Sequence, residues 1–517
     1  MKRAFYGGFS LCLLLILAVV IRYPRNNLIP SRMFFYMLIW VLILCGAGII
    51  FSAVERLLYR KGLQADRISR VALACYVILY GVALYVISLA LRSRPITDYQ
   101  SVYETAYGLA SGQVVEDWSY FSMWTNNLGA LTILTACMKV GMALGFADPY
   151  YFVLALNVLQ VMAVIVSIFY LTGRTATFGL RDCGEEPIPD RGQDRAKVST
   201  QWLSVFIFTL WMPVWACTNS FYTDQLSFGG SIIAAALLSW GISLRGKKKG
   251  IVIVGAGIVW GVGIAAKSTA GIWGVALIIA MLLAGQIRCR WKELLSFYVS
   301  AALAVTLFSA IAVGYPSKAE EHRLRAPVEY WLAMGLMGNG SYADNAYLVE
   351  NCYRLPNVEE RTEFCRRVIA DNWTNLFDIK HLSDKTSVIF GQGDIAPTSH
   401  FYAYEENLLW QWVCEDGTYY WKYACLSTGF FYAILLLMLV GTLFRVLRPK
   451  REDIGVFVSY LTVFGIFLFL MLWEAQNKQL YNHIPWMTLA AVYGLETAKE
   501  YIGMAIEKIK ENKHGRE

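Results

Sequence analysis

The sequence predicts an all-α polytopic membrane protein. Of its 517 residues, 57% are hydrophobic and only 16% are charged, whereas soluble proteins carry about 25% charged residues. The apolar residues are collected in runs of about 18 or more, long enough for a helix to cross a bilayer. The first run, from Phe5 to Ile21, follows Lys2 and Arg3 and lacks a clean small-x-small cleavage site. We therefore expect it to be a signal anchor.

Basic residues between the apolar segments predict which loops face the cytoplasm. The apolar segments are 5–21, 33–53, 69–91, 128–146, 150–172, 201–219, 226–244, 250–266, 270–287, 294–315, 427–447, 454–473 and 484–500. Lys and Arg cluster at the N-terminus and at 56–70, 245–250, 288–293, 445–452 and from 499 to the end. Because Lys and Arg accumulate on the cytoplasmic side, these clusters should share one face.

The basic clusters at 56–70 and 245–250 lie on the same face only if one apolar segment between them does not cross the membrane. The best candidate is 128–146, because it contains Lys139, which is costly in hydrocarbon. We predict an interfacial or re-entrant helix on the outer face, which leaves about twelve spans. The alternative is that 128–146 crosses and Lys139 snorkels to the surface. With the first interpretation, the loop 173–200 lies inside, while the loop 22–32 lies outside despite its arginines.

The topology divides the chain into three parts. Residues 1–315 form a transmembrane module with a first outer loop at 92–149. Residues 316–426 form an extracytoplasmic segment, and 427–517 hold the C-terminal spans and a cytoplasmic tail. The outer segment contains four cysteines, at 352, 365, 414 and 425. Cys352 with Cys365, and Cys414 with Cys425, can form disulfides in an oxidising compartment, although the sequence does not fix the pairing.

Ionisable residues stand at the outer ends of several spans. Asp98 begins the stretch "DYQSVYETAYG", in which Tyr99 and Tyr103 have helical spacing. This pattern predicts an amphipathic helix on the membrane surface. Asp98 can act at a site or serve only as the helix N-cap.

Two further outer turns add charges in a very apolar context. Asp224 lies in "FYTDQLSFGG" and Lys267 in "GIAAKSTAG". Boundary charges of this kind are functional candidates, although Asp224 can be only a cap and Lys267 can simply snorkel. Carboxylates and a cation can hold a divalent metal and a phosphate, and an acid can act as a general base. The last turn, "NKQLYNHIPW", offers Lys478, Tyr481 and His483 to an anionic head group.

These motifs resemble the GT-C membrane glycosyltransferases. The likeness is to the branch of protein O-mannosyltransferases and aminoarabinose transferases, including Gram-positive members. It rests on the acid after a span in "RPITDY", on "YFSMWTNNLGALTILTACMKVGMALG", on "FYTDQLS", on "GIAAKSTAGI" and on "APVEYWLAMGLMGNGSY". The family's double-proline turn is replaced by Asn126 and Asn127, and its Asp-Glu doublet by Asp98 and Tyr99.

The resemblance implies a GT-C-like bundle and a sugar donor linked to a polyprenyl phosphate. Asp98 would be the general base, with inversion at the sugar carbon. Asp98 and Asp224 would hold a divalent cation such as Mg²⁺ or Mn²⁺. The other implied substrate-binding residues are Tyr99, Tyr103, Asp224, Lys267, Lys478, Tyr481 and His483, the cations facing the phosphate and the tyrosines the sugar.

The implied acceptor is a cell-envelope glycan, lipid or protein. The implied location is a bacterial plasma membrane, with the active site on the extracytoplasmic face. Two alternatives stay open. The first is a transporter or lipid flippase, although such proteins often show internal repeats and midplane charges. The second is a ligase or polymerase of lipid-linked glycans, using Arg323, Arg325, Arg366 and Arg367. No nucleic-acid partner is expected, because the basic runs are short and lie between spans.

Overall fold

The computed structural model describes residues 1–25, 28–174, 198–312, 324–394, 401–404, 406–447 and 454–514. Within these ranges the chain is mainly helical, as predicted, and nine helices are long and apolar enough to cross a membrane. They are Lys2–Arg22, Pro30–Arg60, Ala65–Ala90, Tyr150–Gly173, Thr223–Ser243, Lys247–Ala266, Ile287–Ile311, Tyr420–Leu447 and Ile454–Leu472. The chain is therefore an integral membrane protein.

Three further predicted spans correspond to other helices. They are Val198–Thr209 with Met212–Cys217, Ile272–Leu283 after a short 3-10 turn, and Ile484–His514. The first is interrupted where Pro213 stands near the start of its second helix. Proline lacks the N–H that a continuous helix would need there. The total of about twelve spans stays a prediction, and the predicted loop 173–200 lies largely outside the described residues.

The first outer loop folds into short helices that lie against the bundle. They are Thr97–Ala110, Ser119–Met123 and Leu128–Ala143, with a 3-10 turn at Thr125–Asn127. Leu128–Ala143 has 16 residues, so it is about 24 Å long at 1.5 Å per residue. The hydrocarbon core is about 30 Å thick, and Lys139 is exposed. Both observations agree with a helix that does not cross.

The described part of the outer segment is mainly a set of short helices. Its α-helices are Val328–Leu336, Ala346–Arg354, Val358–Asn372, Ile379–Phe390 and Leu408–Val413, with 3-10 turns at Tyr342–Asp344 and Trp373–Phe377. A second hydrophobic cluster joins Met123 and Trp124 of the first loop to Tyr330, Cys352 and Cys365. The outer segment is therefore packed on the first outer loop.

Two details differ from an all-α chain with paired cysteines. Ser93–Pro95 pairs antiparallel with Phe401–Ala403, so a short two-stranded ribbon also joins the first loop to the outer segment. The four cysteines of the outer segment are free thiols. The side chains of Cys352 and Cys365 are nevertheless in contact, so the fold brings this pair together.

Candidate active site

A cavity of about 1200 Å³ lies between the outer ends of the spans and the outer segment. Its wall contains Asp98, Lys267 and Lys478, which the sequence had placed on three separate outer turns. Aromatic side chains complete the wall: Phe469 and Trp473 come from the end of a span, and Trp331, Tyr342 and Tyr353 come from the outer segment. The expected convergence of these charged groups is therefore observed.

The helix Thr97–Ala110 points Asp98 into this cavity. Tyr99, Val102 and Ala106 are buried on its inner face. Asp98 and Ser101, which are three residues apart and share a neighbouring face, line the cavity instead. The N-cap residue is Ile96, so Asp98 is not the cap. Thr97 has a φ of 52°, a strained conformation for a residue with a side chain and one that is concentrated at functional sites.

A network of hydrogen-bond donors holds the Asp98 carboxylate. The Tyr222 hydroxyl donates to Oδ2 of Asp98 at 3.4 Å, and the Tyr120 hydroxyl is hydrogen-bonded to Asp98 as well. Asn127 donates from Nδ2 to the Tyr120 hydroxyl at 2.6 Å and to the Tyr222 hydroxyl at 3.3 Å. Burial, together with the negative Asp98, raises the pKa of Tyr120 and of Tyr222. Both phenols therefore stay protonated and can donate.

Lys267 reaches the cavity from the end of the span Lys247–Ala266 and forms an ion pair with Asp224. The two spans that carry this pair approach closely, since a Cβ on Gly230 would lie 2.9 Å from Cα of Gly263. Small residues permit such backbone contact between membrane helices. Burial lowers the pKa of Lys267, and Asp224 opposes that shift.

Asp224 itself is not a cap, because the N-cap of its helix is Tyr222. It lies behind the cavity wall, where it anchors Lys267. The position of Asp224 also bears on the topology. Tyr222, two residues before it, donates a hydrogen bond to Asp98, so Asp98 and Asp224 must lie on the same side of the membrane. The chain returns to the side of Asp98 after Tyr150–Gly173 and the interrupted segment that begins at Val198. If both of these segments cross, Asp98 and Tyr222 share a side only when Leu128–Ala143 does not cross, which is the predicted topology.

Glu474 is a cavity residue that the sequence reasoning did not single out. It follows the span Ile454–Leu472 and is only 6% exposed. Gln476 donates a hydrogen bond to its Oε1. Burial raises the pKa of Glu474 to about 7, while Lys478 and Lys267 act in the opposite direction. The signal in the sequence was the same as for Asp98: an acid at the outer end of a span.

Lys478 stands on the 3-10 helix Asn477–His483 with its Nζ 5.6 Å from the centre of the Tyr222 ring. Because Tyr222 also bonds Asp98, this contact places Lys478 in the same group of side chains. The described part of the cavity thus brings Lys267, Lys478, Asp98 and Glu474 together, with the Asp224 carboxylate behind the wall. Arg25 and Glu415 line the same cavity.

Four residues expected to meet a substrate lie behind the wall instead. Tyr99 is 1% exposed and packs between the rings of Tyr103 and Tyr222. Tyr481 packs on Phe228, with 4.6 Å between ring centroids. Tyr103, Tyr481 and His483 are likewise absent from the cavity lining. Burial, with Lys267 nearby, lowers the pKa of His483 to about 3, so its neutral ring adds no charge for a phosphate.

Asp98 and Asp224 do not form the pair of divalent-metal ligands that the resemblance implied. The Asp224 carboxylate is engaged by Lys267, so it is not available beside Asp98 as a metal ligand. Among the described residues, no group of three or more His, Cys, Asp or Glu side chains could hold a metal ion.

No family model matches the sequence, and no curated protein matches it. Among the solved structures, the chain is similar to the crystal structure of ArnT from Cupriavidus metallidurans bound to undecaprenyl phosphate. The match covers 82% of this chain and 77% of that chain, with a TM-score of 0.34 and 12% sequence identity.

Proposed function

We propose that the protein is a membrane glycosyltransferase that moves a sugar from a polyprenyl-phosphate donor to an extracytoplasmic acceptor, with Asp98 as the general base. The observation that carries this proposal is the cavity itself. A carboxylate held by two phenols faces the same space as two lysines, at the level where the spans end. Such a pairing suits a reaction that removes a proton at one point and stabilises an anion at another.

Lys267 and Lys478 form the proposed phosphate subsite. Lysine carries three N–H donors, so Lys267 can keep its bond to Asp224 and still donate to a phosphate oxygen. The head group of a lipid-linked donor lies at the bilayer surface, which is the depth of these span ends. The apolar Phe469 and Ile264 of the same wall belong to the outer ends of two spans, where the first part of a lipid chain would lie.

The proposed reaction is a single displacement. The acceptor oxygen attacks the anomeric carbon while its proton passes to the Asp98 carboxylate. The bond between the anomeric carbon and the phosphate oxygen breaks, and its electron pair leaves with the phosphate toward Lys267 and Lys478. A single displacement inverts the configuration at carbon, as in other inverting reactions at a glycosidic centre.

The distribution of basic residues supports an extracytoplasmic site. The spans that reach the cavity at Ala266 and Leu472 have their other ends at Lys247 and at 454, next to the basic loops 245–250 and 445–452. Because such loops face the cytoplasm, the cavity opens on the opposite side of a plasma membrane. Arg25, in the outer loop that breaks the charge rule, lines the cavity, which gives that exception a local explanation.

The test is transfer by purified protein in liposomes, with labelled polyprenyl-phosphate hexoses and pentoses as donors and cell-envelope fractions as acceptors. Removing a general base typically costs about 10²–10⁴ in rate, so Asp98→Asn should lose at least about 100-fold. Glu104→Gln is the matched control, because Glu104 is exposed on the same helix and accepts a hydrogen bond from its neighbour Gln100. It should transfer at the wild-type rate.

The same experiment separates the alternative functions. Wild-type rates in Asp98→Asn, with the protein folded and inserted, would refute Asp98 as the base. Lipid flipping or uptake in the same liposomes without sugar transfer would instead support a transporter. Joining of two lipid-linked glycans would support a ligase. Of the arginines considered for a ligase, Arg323 lies outside the described residues, and Arg366 is engaged by Glu329 at 2.9 Å.

A further inference from the structure

The charged side chains in and behind the cavity wall carry a net negative charge, although the proposed ligand is an anion. Asp98, Glu415 and Glu474 line the cavity together with Arg25, Lys267 and Lys478. Asp224 lies behind the wall in its ion pair with Lys267, so the seven side chains carry a net charge of minus one when all are ionised. A phosphodiester would add another negative charge. Like charges at one site disfavour each other's ionised forms, so one of the acids is expected to be neutral when an anion is bound.

Glu474 is the acid whose surroundings favour neutralisation. Asp224 is paired with Lys267, and Asp98 receives hydrogen bonds from two phenols. The Glu474 carboxylate receives a hydrogen bond from the neutral amide of Gln476 and is almost completely buried. Burial also raises its pKa to about 7.

The groups that surround Glu474 come from every element packed around its turn. They are Lys478 on the following 3-10 helix, Lys267 between two spans, Asp98 on the first outer helix, and Tyr330 and Tyr342 in the outer segment. Lys385, on the helix Ile379–Phe390, instead donates to the carbonyl of Gly335 at 2.5 Å. Both cations that act on Glu474 are therefore the two lysines proposed to bind the phosphate.

We propose that Glu474 takes up one proton when an anionic phosphate occupies the subsite formed by Lys267 and Lys478, so that donor binding is coupled to proton uptake. The inference rests on the proposed function, because it assigns the ligand of that subsite. An arriving phosphate competes with the Glu474 carboxylate for the two ammonium groups. A proton from solvent converts the carboxylate to a neutral acid, which removes the repulsion and can donate a hydrogen bond to a phosphate oxygen.

The coupling predicts how affinity depends on pH. Above the pKa of the unliganded acid, each pH unit makes the required proton tenfold scarcer, so affinity falls roughly tenfold per unit. Below that pKa the proton is already bound, and affinity is constant. Donor binding should therefore be tight and flat near pH 6 and should weaken progressively above about pH 7.

The experiment is calorimetric titration of the full-length protein in detergent with methyl farnesyl phosphate. This probe is a phosphodiester whose single charge does not change between pH 6 and pH 8.5. Wild-type affinity should fall at least about tenfold over this range. Titrations at pH 8 in two buffers of different ionisation enthalpy should show uptake of close to one proton per ligand.

Glu474→Gln should bind with the same affinity at every pH, should take up no proton, and should bind tighter than wild type at pH 8. Glu415→Gln is the matched control. Glu415 lines the same cavity, but the charges that act on it are Asp394, Asp416 and Arg25 rather than the two lysines. It should keep the wild-type pH dependence and proton uptake.

The outcomes separate this inference from the proposed function. A wild-type affinity that does not change with pH, or a slope that persists in Glu474→Gln, would overturn the coupling and leave the sugar transfer by Asp98 standing. Absence of binding at every pH would overturn both the phosphate subsite and the coupling. Loss of transfer in Asp98→Asn remains an independent measurement, because Asp98 is not part of that subsite.

Discussion

The ion pair between Lys267 and Asp224 offers a quantitative test of how the cavity is built. The Lys267 and Asp224 side chains are 14% and 4% exposed, so water does little to solvate either charge. Removing one partner of a buried pair leaves the other charge uncompensated, which costs about 3–5 kcal/mol. Lys267→Met should therefore lower the free energy of unfolding by about that amount, and Asp224→Leu should do the same.

The double variant Asp224→Leu/Lys267→Met removes both charges and leaves apolar side chains of similar volume. Replacements of this kind are often neutral or stabilising, so its stability should return to within about 1 kcal/mol of wild type. Its affinity for the phosphodiester should nevertheless stay at least about tenfold weaker, because one of the two cations of the subsite is missing. The pair would then be shown to position Lys267 rather than to stabilise the fold.

The assay is equilibrium unfolding in mixed micelles, followed by tryptophan fluorescence, with the coupling energy taken from the complete double-mutant cycle. Lys139→Met is the matched control, since Lys139 is exposed on the outer helix Leu128–Ala143 and should change stability by less than about 0.5 kcal/mol. A loss below about 1 kcal/mol for Lys267→Met, or a double variant as unstable as the single ones, would refute the reasoning.

Two further predictions concern the walls of the cavity. A Cβ on Gly129 would lie 1.8 Å from the carbonyl oxygen of Ala265, so Gly129→Ala should displace the neighbouring Lys267 and lower transfer at least about tenfold. Gly255→Ala is the control and should have no effect, because Gly255 lies on an open face of the span that carries Ala265. Burial raises the pKa of Glu474 to about 7, so the native state binds more protons than the unfolded state between roughly pH 4.5 and 7. The free energy of unfolding should therefore fall as the pH rises across that window. Glu474→Gln should melt at a higher temperature than wild type at pH 8 but not at pH 5. Equal melting temperatures at pH 8 would contradict this prediction.

The sequence was sufficient to predict the helical membrane class. Hydropathy identifies the spans because a lipid environment requires long apolar helices. The charge distribution adds a count of crossings that does not depend on side-chain packing, and the non-crossing helix that it indicates stays a prediction. Pro213 shows the limit: hydropathy averages over it, although it interrupts the predicted span 201–219.

The candidate site was predictable where backbone position alone decides it. Asp98, Lys267 and Lys478 were found because each stands at the outer end of a span. Glu474 also stands at the outer end of a span, but the sequence alone did not distinguish it from the lysine, tyrosine and histidine that follow it in the same turn. The roles of Tyr99 and His483 could not be predicted, because burial depends on what packs against a residue from distant parts of the chain.

The inner face of the first outer helix shows that some of this packing was nevertheless readable. Tyr99, Val102 and Ala106 follow the i, i+3, i+7 spacing of a buried stripe, and the structure buries all three. An interpretation based on that spacing would have assigned Tyr99 to the core and Asp98, about 100° away around the helix, to the opening. Disulfide pairing, by contrast, had no such pattern.

The outer segment takes part in the charge arrangement and does not merely cover it. The amide of Ala475 donates to the carbonyl of Gly340 at 2.7 Å, so the turn that carries Glu474 is held from above by the outer segment and from below by the span Ile454–Leu472. Tyr342 from the same segment lines the cavity and lies within the electrostatic reach of both Asp98 and Glu474. In the proposed mechanism, an acceptor that moves this segment would therefore change the surroundings of Glu474, the acid that takes up a proton when the donor phosphate binds. Recognition of the two substrates would then be linked through one turn of the chain.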